Sequence, residues 1–143
     1  DLALAWSLAP DSVWTPSNVG YTAGVLGFES IAAGRGELAG RFYRLWAACA
    51  PKNAEPVMNL GVVAEKSGRL DEAETLYLRA RALAPSSARA HYNLGAFYWG
   101  RGRWGQAADF FEAALRITPG DPTFSRFAAQ ARLRQKRAQG AKP

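Results

Sequence analysis

The chain has 143 residues, of which 48% are hydrophobic and 21% charged. That length allows a sizeable core, and that balance excludes an intrinsically disordered chain. A single cysteine, Cys49, excludes an internal disulfide and any multi-cysteine metal site, and no apolar run reaches the roughly 18–20 residues of a membrane span.

The net charge of +6 is unevenly placed. Six basic residues and no acid lie from Arg126 onward, which leaves 12 basic against 12 acidic residues before it. The body is neutral and the tail carries the excess.

The chain opens on Asp1 without an initiator Met and without the basic lead of a signal peptide, so a processed or excised piece of a longer protein is expected. A cytoplasmic setting is preferred, with an exported or membrane-tethered piece as the alternative. Residues 1–12 read as the second helix of a truncated repeat: Leu2, Ala5, Trp6 and Ala9 share a helical face, and Leu8-Ala9-Pro10 echoes Leu83-Ala84-Pro85. Residues 13–19, with Pro16, Ser17 and Asn18, read as an inserted loop that ends in a helix N-cap.

From there the chain repeats itself. Val57-Met58-Asn59-Leu60-Gly61 and His91-Tyr92-Asn93-Leu94-Gly95 align with a spacing of 34, as do Gly68-Arg69 with Gly102-Arg103, Ala73 with Ala107, Tyr77 with Phe111, Ala80 with Ala114, and Pro85 with Pro119. A looser copy precedes them: Leu26-Gly27, Gly34-Arg35, Ala39, Tyr43 and Pro51, with Trp46 in the place of Ala80 and Ala114. The repeats are therefore 20–53 (degenerate), 54–87 and 88–121. A fixed period of this length is the mark of a stacked repeat array. Gly68 and Gly102 supply the left-handed residue that closes a first helix, and Pro85 and Pro119 stop a second. Each repeat is then a pair of antiparallel helices. Residues 122–138, with the stripe Phe124, Phe127, Ala128 and Ala131, read as a capping helix, and 139–143 as a basic disordered tail.

This pattern resembles the tetratricopeptide repeat family, whose 34-residue helix–turn–helix carries Leu-Gly, Ala, aromatic, Ala and Pro at these spacings. The family's leading Trp is absent from all three copies. The resemblance implies an all-α fold: a right-handed superhelical stack of antiparallel helix hairpins with a C-terminal capping helix. It also implies a protein–protein interaction module without catalysis or cofactor, binding a peptide or partner helix in a concave groove formed by the first helix of each repeat. Projected onto this sequence, that groove consists of Tyr21, Phe28, Ile31, Met58, Val62, Glu65, Lys66, Arg89, Tyr92, Ala96 and Trp99. Tyr92 and Trp99 are expected to be exposed there, since aromatic and Arg side chains anchor interfaces, and Met58 to adapt to varied partners.

The chaperone-binding subtype, which clamps a peptide carboxylate with Lys, Arg and Asn, is not supported. Asn59 and Arg89 could match two places, but Gly24, Phe28 and Asn93 fill the others. A self-associating or architectural domain of a larger bacterial protein, membrane-anchored or not, is the alternative reading, prompted by Trp6, Trp14 and Trp46. A second alternative gives nucleic-acid or membrane contact to the basic tail. The absence of stacking aromatics after Phe127 argues against it.

The remaining chemical groups read as structural. His91, the lone histidine, sits in a packing slot. Cys49 reads as a small buried hydrophobe. Asp71, Glu72 and Glu74 complement the dipole of a helix start.

Overall fold

A computed structural model describes residues 16–140. They form seven helices and no strand: α1 Pro16–Ala32, α2 Gly36–Cys49, α3 Ala54–Lys66, α4 Leu70–Leu83, α5 Ala88–Trp99, α6 Trp104–Ile117 and α7 Pro122–Gly140. The truncated repeat, Trp6, Trp14 and the last tail residues lie outside the described residues. Residues 16–19, expected as loop, form the first turn of α1. Pro16 opens it, since the first turn has no use for the N–H that proline lacks.

The turn between the two helices of each hairpin recurs with the period. Gly34, Gly68 and Gly102 have φ of 72°, 74° and 68°. Beside each glycine the next residue reaches back to the same place in the preceding helix. Arg35 N–H donates to Ser30 O at 2.8 Å, Arg69 N–H to Ala64 O at 2.9 Å, and Arg103 N–H to Tyr98 O at 3.0 Å. These bonds satisfy carbonyls that a helix end would otherwise leave open. The degenerate first copy makes the same turn as the others.

The opposite ends are capped with the same period by three different side chains. Asn53 accepts from Glu55 N–H at 2.9 Å, Ser87 from Ala90 N–H at 3.3 Å, and Asp121 from Thr123 N–H at 2.7 Å. Each cap supplies an acceptor to a first-turn N–H, typically about 1 kcal/mol.

Two compact units divide the chain, Asp1–Leu76 and Tyr77–Pro143, with the boundary inside α4. In the first, α1 and α2 close on each other through Gly27. A Cβ there would lie 2.5 Å from the Tyr43 ring, so the two helices approach as only glycine allows. Ala39, Tyr43 and Val63 form the core, with Ile31, Trp46 and Leu60 packed on its margin. Trp46 is accommodated in an alanine column because α1 offers Gly20 and Gly24, where a Cβ would come within 2.9 and 3.1 Å of the indole.

The second unit repeats the device. A Cβ on Gly95 would lie 2.6 Å from the Phe111 ring, and Leu94, Phe97 and Phe111 are its largest fully buried side chains. Tyr77 meets Phe97 edge to face at 5.6 Å. α7 packs against α6, burying Ala128 and Ala131 and setting Phe127 on Phe111, while Phe124 meets Tyr92 of α5. Its Arg132 grips Glu112 through Nε and Nη2, both at 2.6 Å, and Asp109 at 2.7 Å. The Arg132 hydrogen bond holds the Glu112 carboxyl below its ordinary range, against the upward push of partial burial. The same bonds, first from Glu112 and then from Asp109, raise Arg132 above its ordinary value.

Candidate functional site

A binding face has to be built from side chains that hairpin packing does not consume. On α1 the glycines at 20, 24 and 27 turn one side of the helix toward α2, which leaves Tyr21, Val25 and Phe28 on the other. Residues seven apart on a helix share a face. Tyr21 is 74% exposed, Phe28 71% and Val25 41%. Ile31 continues the row but is half-buried on the Tyr43 and Val63 side chains. It shares a cleft of about 330 Å³ with Glu37, Val63 and Lys66. Lys66 is exposed, whereas Val62 and Glu65 are half-buried. Met58, expected as an adaptable contact, is 3% exposed and belongs to the core.

In the second unit Arg89 and Ala96 are exposed, but Tyr92 and Trp99 are not the open anchors expected from sequence. The Tyr92 ring lies 5.4 Å from Phe124, 5.6 Å from Phe111 and 5.8 Å from Phe127. Trp99 lies 5.1 Å from Trp104 and 6.0 Å from Phe127. The reason is the cap: α7 must bury Phe124 and Phe127, and these two rings receive them. The stripe on α7 was visible in the sequence, whereas its partners became visible only once the helices were packed.

The other candidates stay structural. His91 Nε2 donates to the Pro85 carbonyl at 2.9 Å and the ring tilts against Phe110, tying a loop to the hairpin. Cys49 is half-buried. Gly24, which would have to supply a clamp residue, faces Trp46. Asn59 and Asn93 are half-buried in their helices. Among the described residues no group of three His, Cys, Asp or Glu side chains could hold a metal ion.

Helical hairpins of period 34, closed by a left-handed glycine and joined through glycine–aromatic contacts, define a class of repeat protein. A family profile described as tetratricopeptide repeat matches residues 58–122. The chain resembles that family over those residues and has its fold. The first tetratricopeptide domain of human RPAP3 is similar at a TM-score of 0.78 and 16% identity, covering 89% of this chain and 99% of that one. The second domain of human RPAP3, solved in complex with an HSP70 peptide, has a TM-score of 0.71 at 22% identity, covering 82% and 98%. The O-GlcNAc transferase of Thermobaculum terrenum is similar at 0.72 and 24% identity over 82% of this chain, but that match is 23% of the transferase. No curated protein matches.

Proposed function

We propose that this chain is a non-catalytic module that binds a protein or peptide partner, and that the face of α1 carrying Tyr21, Val25 and Phe28 is the principal contact in its first unit. Tetratricopeptide folds in similar structures hold chaperone peptides, which supports a peptide or protein as the class of partner. The observation that carries the reading is that two aromatic rings are left more than 70% exposed on one helix face while Gly20, Ala23, Gly27 and Ser30 of the same helix are buried. Aromatic anchors of this kind concentrate binding energy. Lys66 and Arg89 add exposed positive charge, each within its own unit. A carboxylate clamp has no support, because Gly24 and Phe28 occupy its places.

A peptide selected against the chain from a random display library provides the test. Replacing Tyr21 and Phe28 together by Ala should weaken it by about 2 kcal/mol or more, as hot-spot anchors do, with helicity unchanged. Unchanged affinity would remove α1 from the binding face.

The same apolar row supports a second reading, self-association. Light scattering over a concentration series separates the two: concentration-dependent growth in mass that Tyr21→Ala abolishes favours assembly, and a persistent monomer excludes it.

A further inference from the structure

We propose a second, separate binding site: the cleft between Trp104 of α6 and the last turns of α7 takes a short acidic peptide, whose carboxylates pair with Arg134 and Arg137. The cleft has a volume of about 590 Å³ and is lined by Trp104, Gln130, Leu133, Arg134, Arg137 and Ala138. None of these belongs to the α1 face or to the projected groove. Only Trp99 adjoins it, through Arg134.

The charges on α7 are used unequally. Arg132 is neutralised by Asp109 and Glu112. Arg134 and Arg137 have no carboxylate partner among the described residues. Arg134 is instead held over two indoles, 5.0 Å from the Trp99 ring and 5.0 Å from the Trp104 ring. A cation–π contact uses the charge of the guanidinium and not its N–H donors as hydrogen bonds, so Arg134 is positioned yet still able to take an oxyanion in bidentate fashion. The tail's own sequence has no aromatic after Phe127. The fold supplies them from α5 and α6.

Spacing defines the ligand further. Arg137 follows Arg134 by three residues, which puts the two side chains about 5–6 Å apart on one face of α7. Carboxylates two residues apart on an extended chain stand about 7 Å apart on one side of it, within reach of both forks. Gln130, a turn earlier, adds an amide. Trp104, Leu133 and Ala138 make the rest of the wall apolar, suited to an aliphatic side chain two residues further on. A nucleic-acid strand fits less well: the patch is two cations wide, and the carboxylates of Asp109 and Glu112 flank α7, where a phosphate backbone following the helix would meet them.

The test is fluorescence polarisation with the full chain at low salt, using a fluorescein-labelled Glu-Ser-Glu-Ser-Leu amide as the probe. Its Gln-Ser-Gln-Ser-Leu counterpart and a short labelled oligothymidylate are run beside it. Saturable binding of the acidic probe is expected. It should weaken about tenfold on Arg137→Glu, a charge reversal of an exposed residue, and likewise with the Gln peptide. Arg134→Lys, which keeps the charge but loses the fork, should also weaken it, with circular dichroism unchanged in both variants. Absence of saturable binding, equal affinity for the Gln peptide, indifference to Arg137→Glu, or tighter binding of the oligothymidylate would each overturn the proposal.

Discussion

Gly27 and Gly95 do the same work two periods apart: each lets an aromatic ring of the following helix rest on bare backbone. Replacing either by Ala puts a methyl group 2.5 or 2.6 Å from ring carbons. The helices must then separate, and urea denaturation should register a loss of about 1–3 kcal/mol, the usual cost of overpacking. A glycine with open space around its Cβ, such as Gly36, should tolerate Ala within about 0.5 kcal/mol. This level was the most legible in the sequence, because packing constrains residue identity and so the Leu-Gly and Ala columns repeat as letters. Caps were harder to see. Asn53, Ser87 and Asp121 stand at one register position but share only an acceptor oxygen, so matching identities passes over them. Trp46 breaks the alanine column, and its reason lay across the hairpin in Gly20 and Gly24.

At the scale of the helix, α7 decides which aromatics are available for binding. Tyr92 and Trp99 were read as open because register places a residue on a face but does not say what covers that face. Their rings instead hold Phe124 and Phe127. Tyr92→Ala should therefore destabilise the chain by about 2 kcal/mol, somewhat less than a fully buried aromatic, whereas Tyr21→Ala should stay within about 0.5 kcal/mol. Thermal unfolding of the two variants side by side checks this, and equal effects would contradict the packing described.

α7 is also fastened by the Arg132–Glu112 pair, whose contribution depends on pH. The Glu112 carboxyl is held below its ordinary value of 4.5 in the folded chain. Its stabilisation is therefore complete above that unfolded value and is lost as pH falls through the lower folded one. Arg132, raised further, stays charged throughout. Because both side chains are about a third exposed, solvent screening limits the effect to about 1 kcal/mol. Denaturation near neutrality and at about pH 3 should differ less in Glu112→Gln than in the parent chain by that amount. An undiminished difference would place the acid sensitivity elsewhere.

Over the whole molecule, the period is structural and specificity belongs to what interrupts it. Left-handed glycines at 34, 68 and 102 set the rhythm. Following them, Ala39, Ala73 and Ala107, and the aromatic column Tyr43, Tyr77 and Phe111, are buried, while Tyr21 and Phe28 remain open. The positive charge likewise departs from the repeat: the body is neutral and the excess sits on α7. No described helix is long and apolar enough to cross a membrane. The fold was thus largely readable from the sequence. The proposed binding face was readable only in part, since its outline follows from register but its exposure follows from packing. The direct test is a nitrogen–proton correlation spectrum of the labelled chain titrated with a library-selected peptide. Shifts should concentrate at Tyr21, Val25 and Phe28, leaving Leu94, Gly95 and Phe111 in place. Shifts centred on those Leu-Gly columns, with α1 silent, would contradict the account.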